Sequence, residues 1–345
     1  MSEVRASGVE LDGAAQLLAS ARARVAAAMA DLALPEALRL TDRQRLTVSH
    51  LLRRLIGDVE DELRSALAAH FDAPEDEPLR AALSSASLEI AIPLLDGGAL
   101  VDEALFGLLL RRAEEHRLAR AAPERALLTE LAGDSDEAVA AAAVSLLIAD
   151  SRRLDAFQEP LLAHGDLPAE VAHGLAWTVA AALRTYLVAR HRVAPASADG
   201  AVTAAATAWL ARYDEGAGAD ALARRVALRL DERGRLDDAL LVRAMAEGAL
   251  PLFLAGLSLR TGLDLPALWE LLPDADGRGA AILLRDARVG REAAASILLR
   301  LGGREEEAAA QLDLYDSIEP GEAHRHVLLW RLDPAYRAAV ARLAS

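Results

Sequence analysis

The chain has 345 residues, of which 53% are hydrophobic and 3% aromatic, and its formal net charge is -15. It contains no cysteine, and all 38 of its basic residues are arginine, which excludes disulfides, cysteine-based sites and any site that needs a lysine. Alanine and leucine dominate while strand-forming residues are scarce, so we expect an all-α fold.

The first predicted elements are two helices separated by a proline. Residues Leu11–Leu34 carry apolar side chains at helical spacing, and Pro35 ends this pattern because proline interrupts an α-helix. Thr41 then begins a long leading helix, whose apolar stripe continues to Phe71. Thr41 and Gln44 have the spacing of a capping box, in which the hydroxyl accepts a hydrogen bond from the backbone three residues later.

The segment that follows is repetitive. Stretches of charged and then small or apolar residues align on four glutamates that are 22 to 27 residues apart, namely Glu62, Glu89, Glu115 and Glu137. A fixed period of roughly 20 to 50 residues is typical of helical repeats, which bury their apolar faces by stacking. We therefore expect a HEAT-like solenoid to about residue 155, with Ile90, Leu94 and Leu118 facing its core. The alternative is that a helical bundle rich in alanine and leucine shows such similarity by chance.

The second half is predicted to be a further helical-repeat unit. Helices are expected to start after Asp166, Asp264 and Asp333, since an aspartate caps a helix that has proline in its first turn. Val193–Gly200 is the best candidate linker because it is short, small and aperiodic. Left-handed residues at helix ends are expected at four glycines, Gly234, Gly248, Gly262 and Gly290. The predicted domains are residues 1–155 and 156–345.

Four stretches of the chain resemble a known bacterial family. They are Leu40–Glu60 with its residues LTDRQR and LLRRLIGDVE, Leu88–Leu95, the segment around Asp102, and Leu240–Phe253. They are similar to an uncharacterised family that is known as a domain of unknown function with HEAT-like helical repeats. The resemblance extends over roughly Leu40–Leu301 and implies a fold of helical repeats. It implies no activity and no site residues, because none of the stretches is a catalytic signature.

The residues that carry most catalytic chemistry form no pattern typical of an enzyme. His324 and His326 point in different directions on a helix because they are two residues apart, and no third metal ligand lies near them in sequence. Acidic runs such as Glu305–Glu307 fit solvated helix starts, where negative charge is favourable. We therefore predict no catalytic residue, no cofactor and no metal ion.

Arginines near the end of the repetitive segment are the candidate partner-binding residues. Arg111, Arg112 and Arg120 belong to a cluster that outweighs its neighbouring acids, and we expect them to be exposed on one ridge that contacts an acidic partner. Helical-repeat proteins use extended surfaces to bind other macromolecules. We therefore predict a non-enzymatic scaffold or regulatory adaptor that binds another protein. Since no signal peptide and no membrane-spanning run is evident, we expect it in the cytoplasm.

Two other functions stay open at this point. One is a HEAT-like nucleic-acid-binding or base-repair protein, which the net charge of -15 disfavours because it opposes contact with phosphates. The other is an all-helical enzyme with an acidic pocket that the sequence does not identify. The sequence also leaves the oligomeric state open.

Overall fold

The computed structural model describes residues 41–85, 88–93, 103–122, 126–272, 277–302 and 305–344. Throughout these residues the regular structure is helical, apart from one isolated antiparallel bridge between Leu154 and Pro160. The all-α prediction is confirmed. The predicted helix Leu11–Leu34 and the predicted core residue Leu94 lie outside the described residues.

The described part of the chain contains sixteen α-helices, numbered in chain order. The first eight are α1 (Asp42–His70), α2 (Glu77–Leu83), α3 (Glu103–Arg120), α4 (Leu127–Ala132), α5 (Glu137–Ser151), α6 (Ala169–His191), α7 (Pro195–Leu210) and α8 (Ala219–Glu232). The others are α9 (Asp238–Ala246), α10 (Leu250–Thr261), α11 (Leu265–Leu271), α12 (Arg278–Asp286), α13 (Arg291–Gly302), α14 (Glu305–Ser317), α15 (Pro320–Trp330) and α16 (Pro334–Ala344). None of the helices in these ranges is long and apolar enough to cross a membrane.

The described residues divide into two compact units, each built from separated stretches of the chain. Unit A comprises residues 114–150 and 219–344, and unit B comprises residues 41–113 and 151–218. The chain passes from unit B to unit A inside helix α3 and returns at the end of helix α5. The domain boundary expected between residues 155 and 156 does not coincide with this division. Whether residues 1–155 and 156–345 fold as separate domains is a different question, and that part stays a prediction.

Unit B is organised around α1, which packs against α2, α6 and α7. Helix α1 forms because branched apolar residues recur at helical spacing, and it buries Val48, Leu51, Leu52, Leu55, Ile56, Val59, Leu63 and Leu67. Its start is capped as predicted, because the backbone N–H of Gln44 donates to the hydroxyl of Thr41 at 3.4 Å. Helices α6 and α7 also pack together, and the turn between them uses Arg192 in the left-handed conformation, with a φ of 57°.

A buried carboxylate of α1 holds the loop that follows α2. Glu60 is 2% exposed and accepts hydrogen bonds from the backbone N–H groups of Ile90 and Ala91, at 3.0 and 2.7 Å. A charged group is stable in such surroundings only when polar partners replace its water. The side chain of Ile90 is half-buried, whereas Leu118 is 5% exposed, as its predicted core position requires.

Unit A has its core around α10, which packs against α8, α9, α11 and α12. Every residue from Leu250 to Ser258 is buried. Gly256 permits this close packing, because a Cβ at that position would lie 2.6 Å from the side chain of Leu241. The next helix, α11, is capped as predicted, since the carboxylate of Asp264 accepts a hydrogen bond from the N–H of Ala267 at 2.8 Å.

Two of the features predicted at the ends of α6 are wrong. Val193–Gly200 is not a linker, because α7 begins at Pro195, whose fixed φ suits the first turn of a helix. Asp166 does not cap α6, which begins later, at Ala169. The carboxylate of Asp166 lies instead 3.3 Å from Nε of Arg153.

The prediction of left-handed residues at helix ends holds for three of the four glycines. The φ angle is 65° at Gly234, 74° at Gly248 and 67° at Gly262. Gly290 was predicted wrongly, because Arg288, with a φ of 54°, takes the left-handed conformation after α12. Helix α12 therefore ends earlier than the position of this glycine indicates.

The four glutamates that align the predicted repeats do not occupy equivalent positions. Glu62 lies within α1, Glu89 lies outside the helices, Glu115 is buried in α3, and Glu137 begins α5. A solenoid arrangement of the helices stays a prediction.

Candidate interaction surface

The three arginines predicted to bind a partner lie on α3, but they differ in exposure. Arg112 is 5% exposed, Arg111 is half-buried and Arg120 is exposed. Arg112 shares the buried face of α3 with Leu105 and Leu109, since residues three, four and seven apart lie on one side of a helix. The expectation of a common exposed ridge is therefore wrong for Arg112. A partner-binding role for Arg111 and Arg120 stays a prediction.

Arg112 holds a loop of unit B in place. Its Nε donates to the carbonyl of Leu161 at 3.0 Å, and its terminal nitrogen donates to the carbonyl of Arg153 at 2.6 Å. The N–H of Leu161 donates to the same carbonyl of Arg153 at 2.8 Å. These bonds fix both ends of a short hairpin, Leu154–Pro160, which we call the Phe157 loop.

The Phe157 loop is hydrogen-bonded up to its tip. The N–H of Asp155 donates to the carbonyl of Glu159 at 2.9 Å. The carboxylate of Asp155 accepts from the N–H groups of Phe157 and Glu159, at 2.8 and 2.9 Å. Gln158 completes the turn in the left-handed conformation, with a φ of 64°. An aspartate that binds the backbone two residues later stabilises a turn, so these hydrogen bonds order the tip of the loop.

Phe157 is 86% exposed at the tip of this loop. The other three phenylalanines of the chain, Phe71, Phe106 and Phe253, are each at most 7% exposed. Burial of such a side chain stabilises a protein by roughly 1.5–3 kcal/mol, a gain that Phe157 does not contribute to the fold. Aromatic side chains are frequent among the residues that contribute most to protein–protein binding, so an exposed phenylalanine on an ordered loop is a candidate contact residue.

One face of α1 combines apolar and positive side chains. Arg43, Leu46, His50, Arg53 and Arg54 recur at intervals of three and four residues, which places them on one side of the helix. We call these five residues the α1 stripe. Leu46 is 71% exposed, the three arginines are exposed, and His50 is half-buried.

The Phe157 loop lies beside the α1 stripe. The pKa of Asp155 is lowered first by the hydrogen bond from the N–H of Glu159, and in addition by the positive charges of His50 and Arg54. Nearby charges shift a pKa in this way only over short distances. Leu46 lies one turn before His50 on the same side of α1, so Leu46 and Phe157 are exposed apolar side chains of neighbouring regions of unit B.

The positive charge of the stripe is only partly neutralised. Arg54 lies 3.6 Å from the carboxylate of Asp58, whose pKa is raised by burial despite this neighbour. Within the ranges that the structure describes, Arg43 and Arg53 form no ion pair. Two guanidinium groups on this surface thus keep their capacity to bind an anion.

A family model for an uncharacterised protein conserved in bacteria, DUF2336, matches residues 90–327. The chain belongs to the DUF2336 family. The match confirms the family resemblance, although the stretch Leu40–Glu60 lies before the matched residues, and the HEAT-like character of the repeats stays a prediction. The DUF2336 region contains the Phe157 loop, and the α1 stripe precedes it. The search found no curated protein and no solved structure that matches the chain significantly.

Sequence reasoning missed the Phe157 loop of this DUF2336 protein, although a signal was present. Asp155 stands two residues before Phe157, the spacing at which an aspartate binds the backbone of a turn. Pro160 closes the same short stretch between two helical patterns. A phenylalanine inside a turn pattern has no helix face to bury it, and this indicates exposure.

The paired histidines of α15 occupy different surroundings, as their spacing predicts. Nδ1 of His324 lies 2.9 Å from the carboxylate of Asp286, and the side chain is 53% exposed. His326 is buried, with Nε2 3.6 Å from the carboxylate of Glu322. Among the described residues, no group of three or more histidine, aspartate or glutamate side chains is arranged to hold a metal ion.

A histidine of unit B stacks on a tryptophan. The rings of His164 and Trp209 have centroids 3.7 Å apart and planes 28° apart. Nε2 of His164 is buried and has no hydrogen-bond partner in the part of the chain that the structure describes. Burial is the main reason that the pKa of His164 is lowered, while Glu62 acts in the opposite direction.

Proposed function

We propose that the protein is a non-enzymatic cytoplasmic scaffold or regulatory adaptor that binds another protein. The observation that carries this proposal is the surface formed by the Phe157 loop and the α1 stripe. It exposes two large apolar side chains, Leu46 at 71% and Phe157 at 86%, on backbone that is ordered by helical and turn hydrogen bonds.

The order of the backbone matters for binding. A partner that covers Phe157 gains the burial of an aromatic ring, and such rings dominate the energy of many interfaces. Because the turn is already held by Asp155 and by Arg112, little conformational entropy is lost when the partner binds. Arg111 and Arg120 are further candidates for contact, as α3 does not bury them fully.

Site-specific photocrosslinking in the native cell tests this proposal. A photoreactive phenylalanine analogue replaces Phe157 in the full-length chain, and adducts are separated after irradiation. Leu343 provides a control position, because its side chain is 89% exposed and therefore as accessible as Phe157. We expect a protein adduct that forms from position 157 and not from position 343.

Other outcomes of this experiment contradict the proposal. Adducts that are destroyed by nuclease favour a nucleic-acid-binding protein instead. If irradiation at position 157 gives no protein adduct beyond those at position 343, the surface is not a protein-binding site.

A further inference from the structure

The charge of the Phe157 surface narrows the chemistry of its partner. Resting on the proposed function, we infer that the partner presents a short carboxylate-rich segment with apolar side chains at its centre. The apolar side chains cover Leu46 and Phe157, and the carboxylates pair with arginines of the α1 stripe.

The order of residues along the stripe defines the pattern that the partner has to match. Leu46 lies between Arg43 and Arg53, so an apolar contact is flanked by a positive group on either side. Ten residues separate the two arginines, which at 1.5 Å per residue is about 15 Å along the helix axis. A partner segment with carboxylates about three helical turns apart and apolar residues between them fits this spacing.

The charges that face the stripe favour carboxylates. Arg43 and Arg53 form no ion pair within the described residues. The carboxylate of Asp155 is already engaged by two backbone N–H groups and shields the stripe only in part. An approaching carboxylate therefore gains charge-assisted hydrogen bonds without displacing an existing partner of Arg43 or Arg53.

The net charge of the whole chain favours a short acidic segment over a larger anion as the binding partner. A lipid bilayer or a long nucleic acid extends beyond the stripe and meets a protein whose net charge is -15, which repels it. A short acidic segment contacts only the stripe and the Phe157 loop. The remaining negative surface then opposes its binding elsewhere and so fixes where it docks.

A binding experiment with a defined peptide tests the inference. The segment that crosslinks to position 157 is identified by mass spectrometry and synthesised with a fluorescent label. A second peptide replaces each Glu by Gln and each Asp by Asn. Fluorescence anisotropy measures the affinity of both peptides for the purified full-length protein. We expect the neutral peptide to bind at least tenfold more weakly at low salt, and the difference to shrink at high salt because ions screen exposed charges.

Variants of the protein complete the test. The double substitution Arg43→Glu and Arg53→Glu should lower the affinity for the acidic peptide at least tenfold, mainly by slowing its association. Phe157→Ala should lower the affinity for both peptides, since it removes the apolar contact. Arg190→Glu is the control, because Arg190 is exposed on α6 and outside the stripe. Circular dichroism confirms that every variant keeps the helical fold of the parent protein.

The outcomes separate this inference from the proposed function. A crosslinked protein whose segment is not acidic, or whose neutral peptide binds equally well, overturns the inference and leaves the adaptor function standing. An arginine reversal that acts no more strongly than Arg190→Glu overturns it as well. The last measurement uses vesicles of phosphatidylglycerol and phosphatidylcholine. If they bind the protein and Phe157→Ala abolishes this binding, the anion is a lipid surface and the inference is wrong.

Discussion

Replacing Gly248 by valine tests how unit A is packed. Gly248 has a φ of 74°, a conformation that only glycine adopts without strain. A Cβ at this position would lie 2.8 Å from the Cα of Ala119 and 3.1 Å from its Cβ. The substitution therefore introduces two separate costs, a strained backbone angle and a clash with the backbone of α3.

The magnitude follows from these two costs. Holding a residue with a side chain in the left-handed region costs about 1–2 kcal/mol, and valine lies at the upper end because it is branched at Cβ. Forcing extra atoms into a packed contact costs roughly 1–3 kcal/mol more, since here the backbone of Ala119 has to move. We expect Gly248→Val to lower the free energy of unfolding by about 2–5 kcal/mol.

Gly234→Val is the matched control. Gly234 has a similar φ of 65°, but a Cβ there meets nothing within 4 Å. Chemical denaturation followed by circular dichroism gives the free energy of unfolding of both variants and of the parent protein. The difference between the two variants isolates the clash and should be about 1–3 kcal/mol. If both variants lose the same stability, the close approach of α3 to Gly248 is refuted.

Three further predictions concern unit B and the end of α3. Arg112→Glu should lower the free energy of unfolding by about 3–5 kcal/mol, because it buries a charge that has no partner. Arg120→Glu, at an exposed position, should change the same free energy by less than about 0.5 kcal/mol. Thermal melting of both variants checks these expectations. Because the folded pKa of His164 lies below its ordinary value of 6.5, the unfolded chain binds the proton more readily, so stability should fall as the pH drops through 6.5. Between pH 7.5 and pH 5.5, chemical denaturation should show a smaller loss of stability for His164→Phe than for the parent protein. This variant keeps an aromatic ring against Trp209 but cannot be protonated there. Thr41→Ala should lower the free energy of unfolding by about 1 kcal/mol, because it removes the side chain that caps α1. An unchanged melting temperature would show that this cap does not stabilise the protein.

Much of the fold could be predicted because it depends on local patterns. The cap at Thr41, the cap at Asp264 and the left-handed Gly248 each depend on a few neighbouring residues, and all three were predicted correctly. Val193–Gly200 was predicted wrongly because small residues suit a linker as well as a helix. Tertiary packing of α7 against α1 and α6 decides between them, and no local pattern contains that contact.

The candidate site depended on contacts that are distant in sequence. The charge of Arg112 indicated a surface residue, but its partners, Leu161 and Arg153, lie 49 and 41 residues further along the chain. The Phe157 loop lies beside His50 and Arg54, which are about a hundred residues earlier. Each half of this surface has a readable pattern of its own. The Phe157 loop and the α1 stripe lie near each other because of the packing of unit B, and local periodicity does not predict that packing.

The division of the chain into interleaved units has a consequence for its synthesis. The ribosome releases the chain from its N-terminus, so both described stretches of unit B are available once residue 218 has emerged. Helices α4 and α5 are made earlier, yet Leu128, Val139 and Leu146 join a core most of whose other members lie beyond residue 219. Their apolar faces therefore lack most of their native partners until the residues beyond 219 have been synthesised. A nascent chain stalled near residue 218 should bind chaperones through this segment and release them as unit A is completed.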